Sequence, residues 1–349
     1  MITIGIDPHK RTHTAVAIDA QRQKLGEFEV IASTQMTPAL LAWAARWPGA
    51  RRWAIEGSNG LGRLLARQLI AAGETVIEVP ATLAARARLL RTGHGRKTDG
   101  IDALSVSEIA AARDDLRQVV ADDHTAVLRL LADRRDELTQ QRRQAINRLH
   151  RHLRDLVAGG APTSLSADAA SKVLARVRPR SAVETERKHV ARQLIIQIRR
   201  IDKDLADNSQ RTRVAVEACG TSLPETFGIS HVLAAKIIGH TGPIGRFANS
   251  DAYANYTGTA PIEVSSGDAV RHRLSRSGNR QLNNAVHLAA HVQRCNPSPG
   301  QDYYLRKIAE GKTKKEAMRC LKRQVAKIIY RRLTDDANRA LTTRIPAAA

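Results

Sequence analysis

The chain has 349 residues, 42% hydrophobic and only 3% aromatic, so it can form two or three ordinary domains but not extended platforms for stacking bases. Its 56 Lys and Arg residues outnumber 34 Asp and Glu residues, and the net charge of +22 predicts a polyanionic partner, either a nucleic acid or an anionic membrane surface. No apolar run approaches the roughly 20 residues of a membrane span, and the first residues do not resemble a signal peptide, so we expect no membrane contact.

Residues 1–123 alternate between strand and helix patterns. Apolar and polar residues alternate over 1–30 around HKRT and DAQRQK, which predicts two or three antiparallel strands. A helix is predicted over 37–48, followed by a buried strand (RRWAIEG), an amphipathic helix ended by Gly73, a strand (TVIEVP) and a helix over 101–113. This order predicts an α/β layer in which parallel strands follow an opening hairpin, as in ribonuclease-H-like domains.

Four acidic residues of this region carry the predicted chemistry. Asp7 follows the apolar TIGI, Glu56 closes RRWAIEG, and Asp99 and Asp102 share one face where a helix begins. Any one of them alone would more often be a helix cap or a solvated charge. Together, carboxylates at two strand ends and on a helix can converge on the two divalent metal ions of phosphodiester chemistry. We therefore predict a Mg²⁺ site, since Mg²⁺ prefers oxygen ligands.

Neighbouring residues give weaker candidates for the same site. Asp19 and Glu78 are rival metal ligands, but each lies in a polar turn or at a strand edge. His9 and Lys10 directly follow Asp7 and either position a phosphate or belong to a surface turn.

Residues 124–205 predict a helical arm. Apolar residues recur at the 3-4 spacing of a coiled-coil seam, interrupted by Arg135, Arg142 and His152. The apolar seam positions are Leu128, Leu131, Leu138, Ala145, Leu149 and Leu156. GGAPTS at 159–164 breaks the helix, and a second helical run follows. The pair forms either a hairpin or dimerising arm, or a linker packed on its own domain.

Residues 206–349 predict a mostly α-helical domain that carries much of the positive charge. The segment 222–247 is either a helix-hairpin-helix, whose turn around Gly228 would offer N–H groups to a phosphate, or a plain helical turn. A loop-rich stretch then leads into a helix. The last helical pattern, over 312–333, is rich in Lys and Arg, including Lys322 and Arg323, and either faces phosphates or is simply solvated.

The loop-rich stretch contains the second chemical candidate, the sequence VSSG at 264–267. A serine beside a glycine lets its hydroxyl approach a phosphate closely, and four arginines downstream could stabilise a phosphorane-like transition state. These arginines are Arg271, Arg273, Arg276 and Arg280. The pattern fits a serine nucleophile that forms a phosphoserine link with DNA, although on composition alone a phosphate-binding loop explains it better.

Taken in order, GIDPHK, AIEGSNG, KTDGIDA, YTGTAPIEVSSG and LSRSGNRQLNNA resemble the DEDD transposases of the insertion-sequence one-ten family over nearly the whole chain. The resemblance implies a RuvC-like domain (1–123), a coiled-coil arm (124–205) and a C-terminal transposase domain (206–349). It implies that Asp7, Glu56, Asp99 and Asp102 bind Mg²⁺ and that Ser266 is the nucleophile.

The same resemblance implies a recombinase guided by a structured bridge RNA that pairs with donor and target DNA. It also implies a homo-oligomer, a dimer or tetramer, with an active site drawn from two protomers. The DNA substrates would be double-stranded element ends and targets, which places the protein at the bacterial nucleoid when bound. The three cysteines, Cys219, Cys295 and Cys320, are widely spaced and fit no disulfide framework or zinc knuckle, which predicts a reduced, cytoplasmic protein.

Two departures from the family pattern leave residue roles open. Ser265 adjoins Ser266, so either could be the nucleophile, and the pair Asn283-Asn284 stands where members often carry Leu-Arg. Two other functions also fit the composition. A junction-resolving nuclease would use the same acids with water and would not need Ser266, and a non-catalytic scaffold would need none of the acids.

Overall fold

The computed structural model describes residues 1–89, 98–266, 269–274 and 278–344, and it describes the backbone alone for 88–89, 263–266, 269–274 and 343–344. The chain forms two compact units, Met1–Asp122 and Asp123–Ala349. Within the described parts, no helix combines the length and the apolar character that crossing a membrane requires. The predicted further division of the second unit at 205 stays a prediction.

The first unit is built on a five-stranded mixed sheet with the strand order β3-β2-β1-β4-β5. Its elements in chain order are β1 (Ile2–Pro8), β2 (Thr12–Ile18), β3 (Lys24–Ile31), α1 (Met36–Ala44), β4 (Arg51–Glu56), α2 (Arg63–Ala71), β5 (Val76–Val79), α3 (Ala81–Leu89) and α4 (Asp99–Ala112). Strands β1, β2 and β3 are antiparallel neighbours, whereas β4 and β5 run parallel to β1. This topology confirms the predicted ribonuclease-H-like α/β fold.

Helices cover both faces of this sheet, which explains why β1 and β2 are buried along almost their whole length. On one face, Ile4, Ile6 and Trp53 pack with residues of α1 and α2. On the other face, Val16 and Ala54 pack near residues of α4. Because side chains alternate along a strand, the second face also receives Asp7 of β1 and Glu56 of β4.

The second unit is mostly helical. Its elements are α5 (His124–Leu156), α6 (Ala167–Arg176), α7 (Ala182–Ala218), α8 (His231–Thr241), α9 (Ser250–Tyr256), β6 (Pro261–Ser266), β7 (Ala269–Leu274), α10 (Arg280–Cys295), α11 (Pro299–Ala309) and α12 (Lys314–Arg344). One core joins the start of α5 to α8, α10 and α12, and a second core joins the far part of α5 to α6 and α7.

Helices α5 and α7 pack along each other, and their contact explains the two arginines in the predicted seam. The Arg135 guanidinium donates to Ser209 Oγ at 2.6 Å, and Arg142 Nε donates to Asp202 Oδ1 at 2.5 Å. Each arginine therefore meets a polar partner on α7 instead of interrupting an apolar interface. At the end of the seam, Leu153 is buried whereas the predicted Leu156 is only half-buried.

Two local predictions for this unit were wrong. The stretch expected to be loop-rich contains the hairpin of β6 and β7, in which Ser266 pairs with Ala269. The second helical run after residue 164 is divided into α6 and α7, because Pro179 lies between them. Helix α11 begins at Pro299, a position that tolerates proline because the first N–H groups of a helix have no partner within it.

Candidate catalytic site

Asp7 and Glu56 lie at the same end of two adjacent parallel strands. Ile6 of β1 is in register with Ile55 of β4, and each acid is the next residue of its strand. Asp7 is buried, whereas Glu56 is half-buried. The antiparallel β2 instead brings Asp19 to the opposite end of the sheet, because Ile18 pairs with Thr3. Topology thus separates Asp19 from the other acids.

The third and fourth acids come from the first turn of α4. The Thr98 side chain caps this helix by accepting from Ile101 N at 3.3 Å, which fixes where the turn begins. Asp102 is buried and Asp99 is half-exposed. The positive end of the helix dipole favours carboxylates at both positions.

Gly5 decides how closely α4 lies on the sheet. A Cβ atom at Gly5 would stand 2.2 Å from Ala103 O and 2.4 Å from Ser107 N. The helix backbone therefore rests directly on β1, two residues before Asp7 and one residue after Asp102. This close approach brings the first turn of α4 to the strand end that carries Asp7.

A metal-competent cluster occurs at this point. Ligand atoms of Asp7, His9 and Asp99 all lie within 4.8 Å of one another. His9 Nε2 is 3.8 Å from Asp7 Oδ2, and His9 Nδ1 is 3.5 Å from Asp99 Oδ2. Two carboxylates and an imidazole suit a divalent cation. The sequence linked His9 only to phosphate, and its place between two carboxylates was not predicted.

Two other titratable residues of this sheet, Glu78 and His13, lie outside the cluster. Glu78, the other rival ligand, accepts from Asn59 Nδ2 at 3.0 Å and lies 3.7 Å from Arg117 Nη1. Burial lowers the pKa of His13 on β2, and nearby His9 lowers it further.

The serine candidates lie in the second unit, at the end of β6. In the hairpin register Ser265 faces Val270, and Ser266 faces Ala269. The side chains of these serines lie outside the described residues, so the choice between them stays open.

The basic candidates occupy different surroundings. Arg271 and Arg273 belong to β7, described by its backbone alone, and Arg276 lies outside the described residues. Arg280 is exposed at the first position of α10. On α12, Arg323 binds Asp251 and the Ser250 carbonyl, whereas Lys322 is buried with 8% exposed and binds Asn283. The nucleic-acid contacts of these six residues stay predictions.

Two family models of transposases match separate parts of this chain. The transposase family model DEDD_Tnp_IS110 matches residues 4–157, and the model of the transposase IS116/IS110/IS902 family matches residues 221–305. The chain belongs to the IS110 family of DEDD transposases. It is accordingly an enzyme that acts on DNA, and the DEDD acids of such a fold imply the use of divalent metal ions.

Similar proteins occur in other insertion elements. This transposase is 26% identical to the IS116 uncharacterized 44.8 kDa protein of Streptomyces clavuligerus, with 96% of this chain and 95% of that protein covered. It is 27% identical to the IS900 uncharacterized 42 kDa protein of Mycobacterium paratuberculosis, with 95% and 96% covered. Among solved structures, Thermus thermophilus RuvC bound to a Holliday junction substrate covers 34% of this chain and 99% of its own, at 16% identity and a TM-score of 0.27.

Proposed function

We propose that this transposase cuts and rejoins DNA strands at a Mg²⁺ site formed by Asp7, Glu56, Asp99 and Asp102. The observation that carries the proposal is the convergence of two strand-end acids with the first turn of α4. The missing Cβ of Gly5 allows that helix to lie directly on β1. Bound Mg²⁺ would supply electrostatic stabilisation to the oxygens that attack and leave phosphorus. The chain's own contribution is to orient the carboxylates before DNA arrives.

The nucleophile in this proposal is Ser266. Its Oγ forms a bond to phosphorus while the bond from phosphorus to a nucleoside oxygen breaks, and the serine proton passes to that leaving oxygen. The phosphodiester energy is kept in the phosphoserine link, so another DNA hydroxyl can reverse the step and join a new strand. The support is the SSG sequence at the end of β6 and the arginines that follow it in β7 and α10.

We further propose that a structured bridge RNA selects the double-stranded element ends and targets by base pairing. Low aromatic content and high basic charge support binding through phosphates rather than through bases. A homo-oligomer would complete the site, with the acids of one protomer and the serine of another acting on one strand. This arrangement is the one that the family resemblance implies.

Covalent trapping tests the chemistry. The full chain is incubated with Mg²⁺, element-end DNA and RNA transcribed from the flanking non-coding region, and adducts are resolved on a denaturing gel and mapped by mass spectrometry. We expect a DNA-linked peptide containing Ser266 that is lost in Asp7→Asn, in Ser266→Ala and after chelation with EDTA. The matched control, Ser265→Ala, should keep the adduct.

The other outcomes separate the rival functions. Metal-dependent cleavage without an adduct, unchanged in Ser266→Ala, would assign the protein to the water-using junction nucleases. An adduct lost in Ser265→Ala and kept in Ser266→Ala would move the nucleophile by one residue. Strand exchange at wild-type rates in Asp7→Asn would exclude the proposed metal site.

A further inference from the structure

The two ends of the hairpin that carries Ser266 are fastened together at its base. Gly258 precedes β6 and Gly278 follows β7, and a Cβ atom at Gly278 would stand 2.5 Å from Gly258 N. The two backbones are therefore in direct contact. Gly258 also has a φ of +66°, a conformation that favours glycine. Next to this contact, Asn279 N donates to Tyr256 O at 2.7 Å.

Asn283 of α10 binds this base through its side-chain amide. Asn283 Nδ2 donates to Thr257 O at 2.9 Å and to Gly258 O at 3.0 Å. Both carbonyls belong to the turn immediately before β6. The half-buried amide thus uses both of its N–H groups on the backbone from which the hairpin emerges.

Lys322 of α12 sets the orientation of that amide. Its Nζ lies 2.8 Å from Asn283 Oδ1. An ammonium group only donates, so it requires the oxygen of the amide on its own side and directs the NH₂ group to the two carbonyls. Lys322 therefore acts on the hairpin base through Asn283.

The surroundings of Lys322 single out this hydrogen bond. The residue is 8% exposed, and burial lowers its pKa. Burying an ammonium group destabilises a protein, so an apolar side chain would fill the same place at lower cost. The hydrogen bond to Asn283 is therefore the best explanation for an amine at this position. By contrast, Lys327 of the same helix and Asn284 beside Asn283 are exposed.

We propose that Asn283 and Lys322 are positioning residues that fix the base of the hairpin and thereby the place of Ser266 during strand transfer. The inference rests on the proposed function of Ser266. It assigns Lys322 a role distinct from the phosphate contact expected from sequence, and it assigns Asn283 an internal role rather than a contact with substrate.

Hydrogen exchange tests the fastening independently of activity. In full-chain Asn283→Ala and Lys322→Met, the backbone amides of the hairpin and its base (257–280) should exchange hydrogen at least about tenfold faster than in wild type. The exchange rates of α5 and α7 should not change. Asn283→Asp should behave alike, because a carboxylate still accepts from Lys322 but cannot donate to the two carbonyls. The exposed controls Asn284→Ala and Lys327→Met should match wild type.

Covalent trapping then tests the positioning. We expect the rate of the Ser266–DNA adduct to fall at least about tenfold in Asn283→Ala, Asn283→Asp and Lys322→Met, whereas DNA affinity stays within about twofold of wild type, because a displaced nucleophile lowers the chemical step. If Lys322→Met fails to fold, the two Asn283 variants decide the matter.

The outcomes distinguish this inference from the function on which it rests. Wild-type exchange at 257–280, or a wild-type adduct rate, in the Asn283 variants would overturn the positioning role while leaving Ser266 as nucleophile. The absence of any serine adduct in the wild-type protein would overturn the proposed function, and the positioning role would be withdrawn with it even if the exchange rates rise as expected.

Discussion

Replacing Gly5 with alanine should damage the metal site without altering any ligand. The new Cβ atom would stand 2.2 Å from Ala103 O, 2.4 Å from Ser107 N and 2.8 Å from Ser107 Cβ. Two of these three atoms belong to the α4 backbone, so no rotation of a side chain can relieve the overlap. The helix must instead move away from β1 by about 1 Å to restore ordinary van der Waals distances.

The magnitude follows from the nature of the contact. Overpacking a core by one methyl group costs about 1–3 kcal/mol, and we expect the upper half of this range because backbone atoms on both sides must shift. Asp102 lies next to Ala103 and moves with it, so its carboxylate moves away from the strand that carries Asp7. Displacing the ligands of a metal or the groups that support them typically lowers the metal affinity about tenfold to a hundredfold.

Urea unfolding gives the free-energy change, and water proton relaxation with Mn²⁺ gives the metal affinity. The matched control is Gly100→Ala in the first turn of α4, whose new Cβ atom would have the movable Glu27 carboxylate as its nearest neighbour, at 2.4 Å. This control should be neutral or stabilising by up to about 1 kcal/mol. Wild-type stability together with wild-type Mn²⁺ affinity in Gly5→Ala would refute the reasoning.

Three further variants test other parts of the molecule. Mg²⁺ should raise the melting temperature of wild type but not of Asp7→Asn, as measured by calorimetry; an equal rise in both would remove Asp7 from the ligand set. Glu74 accepts from the buried Trp53 Nε1 at 2.8 Å and from Arg51, so Glu74→Ala should lose about 1–3 kcal/mol at pH 7 by urea unfolding. The Arg51 hydrogen bond lowers the pKa of Glu74 below its ordinary 4.5, so this difference from wild type should be full above pH 4.5 and shrink as the pH falls further; a pH-independent difference would contradict it. Burial lowers the pKa of His240 below its ordinary 6.5, so the unfolded chain binds more protons than the folded chain below about pH 6.5. The free energy of unfolding should therefore fall as the pH drops below that value, and His240→Gln should weaken this fall. An unchanged pH slope in His240→Gln would show that His240 does not contribute.

The sequence located the four acids because strand ends and helix starts leave local signals. Asp7 and Glu56 each close an apolar run, and the first turn of α4 carries Asp99 and Asp102. The hairpin of β6 and β7 was missed because each strand has only six residues, and because AVRHRL carries two arginines and lacks the apolar alternation that marks a half-buried strand.

Side-chain partners that come from distant parts of the chain left no such signal. Lys322 and Arg323 are adjacent in a basic helical pattern, and the sequence assigned both to phosphate. The structure buries one against Asn283 and pairs the other with Asp251. Which face of a helix meets a neighbour depends on how helices cross, and residues 39 or 72 positions apart do not reveal that crossing.

The sequence by itself therefore determined most of the strand and helix order of the first unit, the positive charge and the acids at element ends, since these follow from local periodicity and composition. Only the tertiary structure decided how closely those elements approach. Gly5 allows α4 to rest on β1, and His9 falls between Asp7 and Asp99. Such distances arise from the packing of backbones that are remote in sequence, where the absence of a single Cβ atom changes a separation by about an ångström.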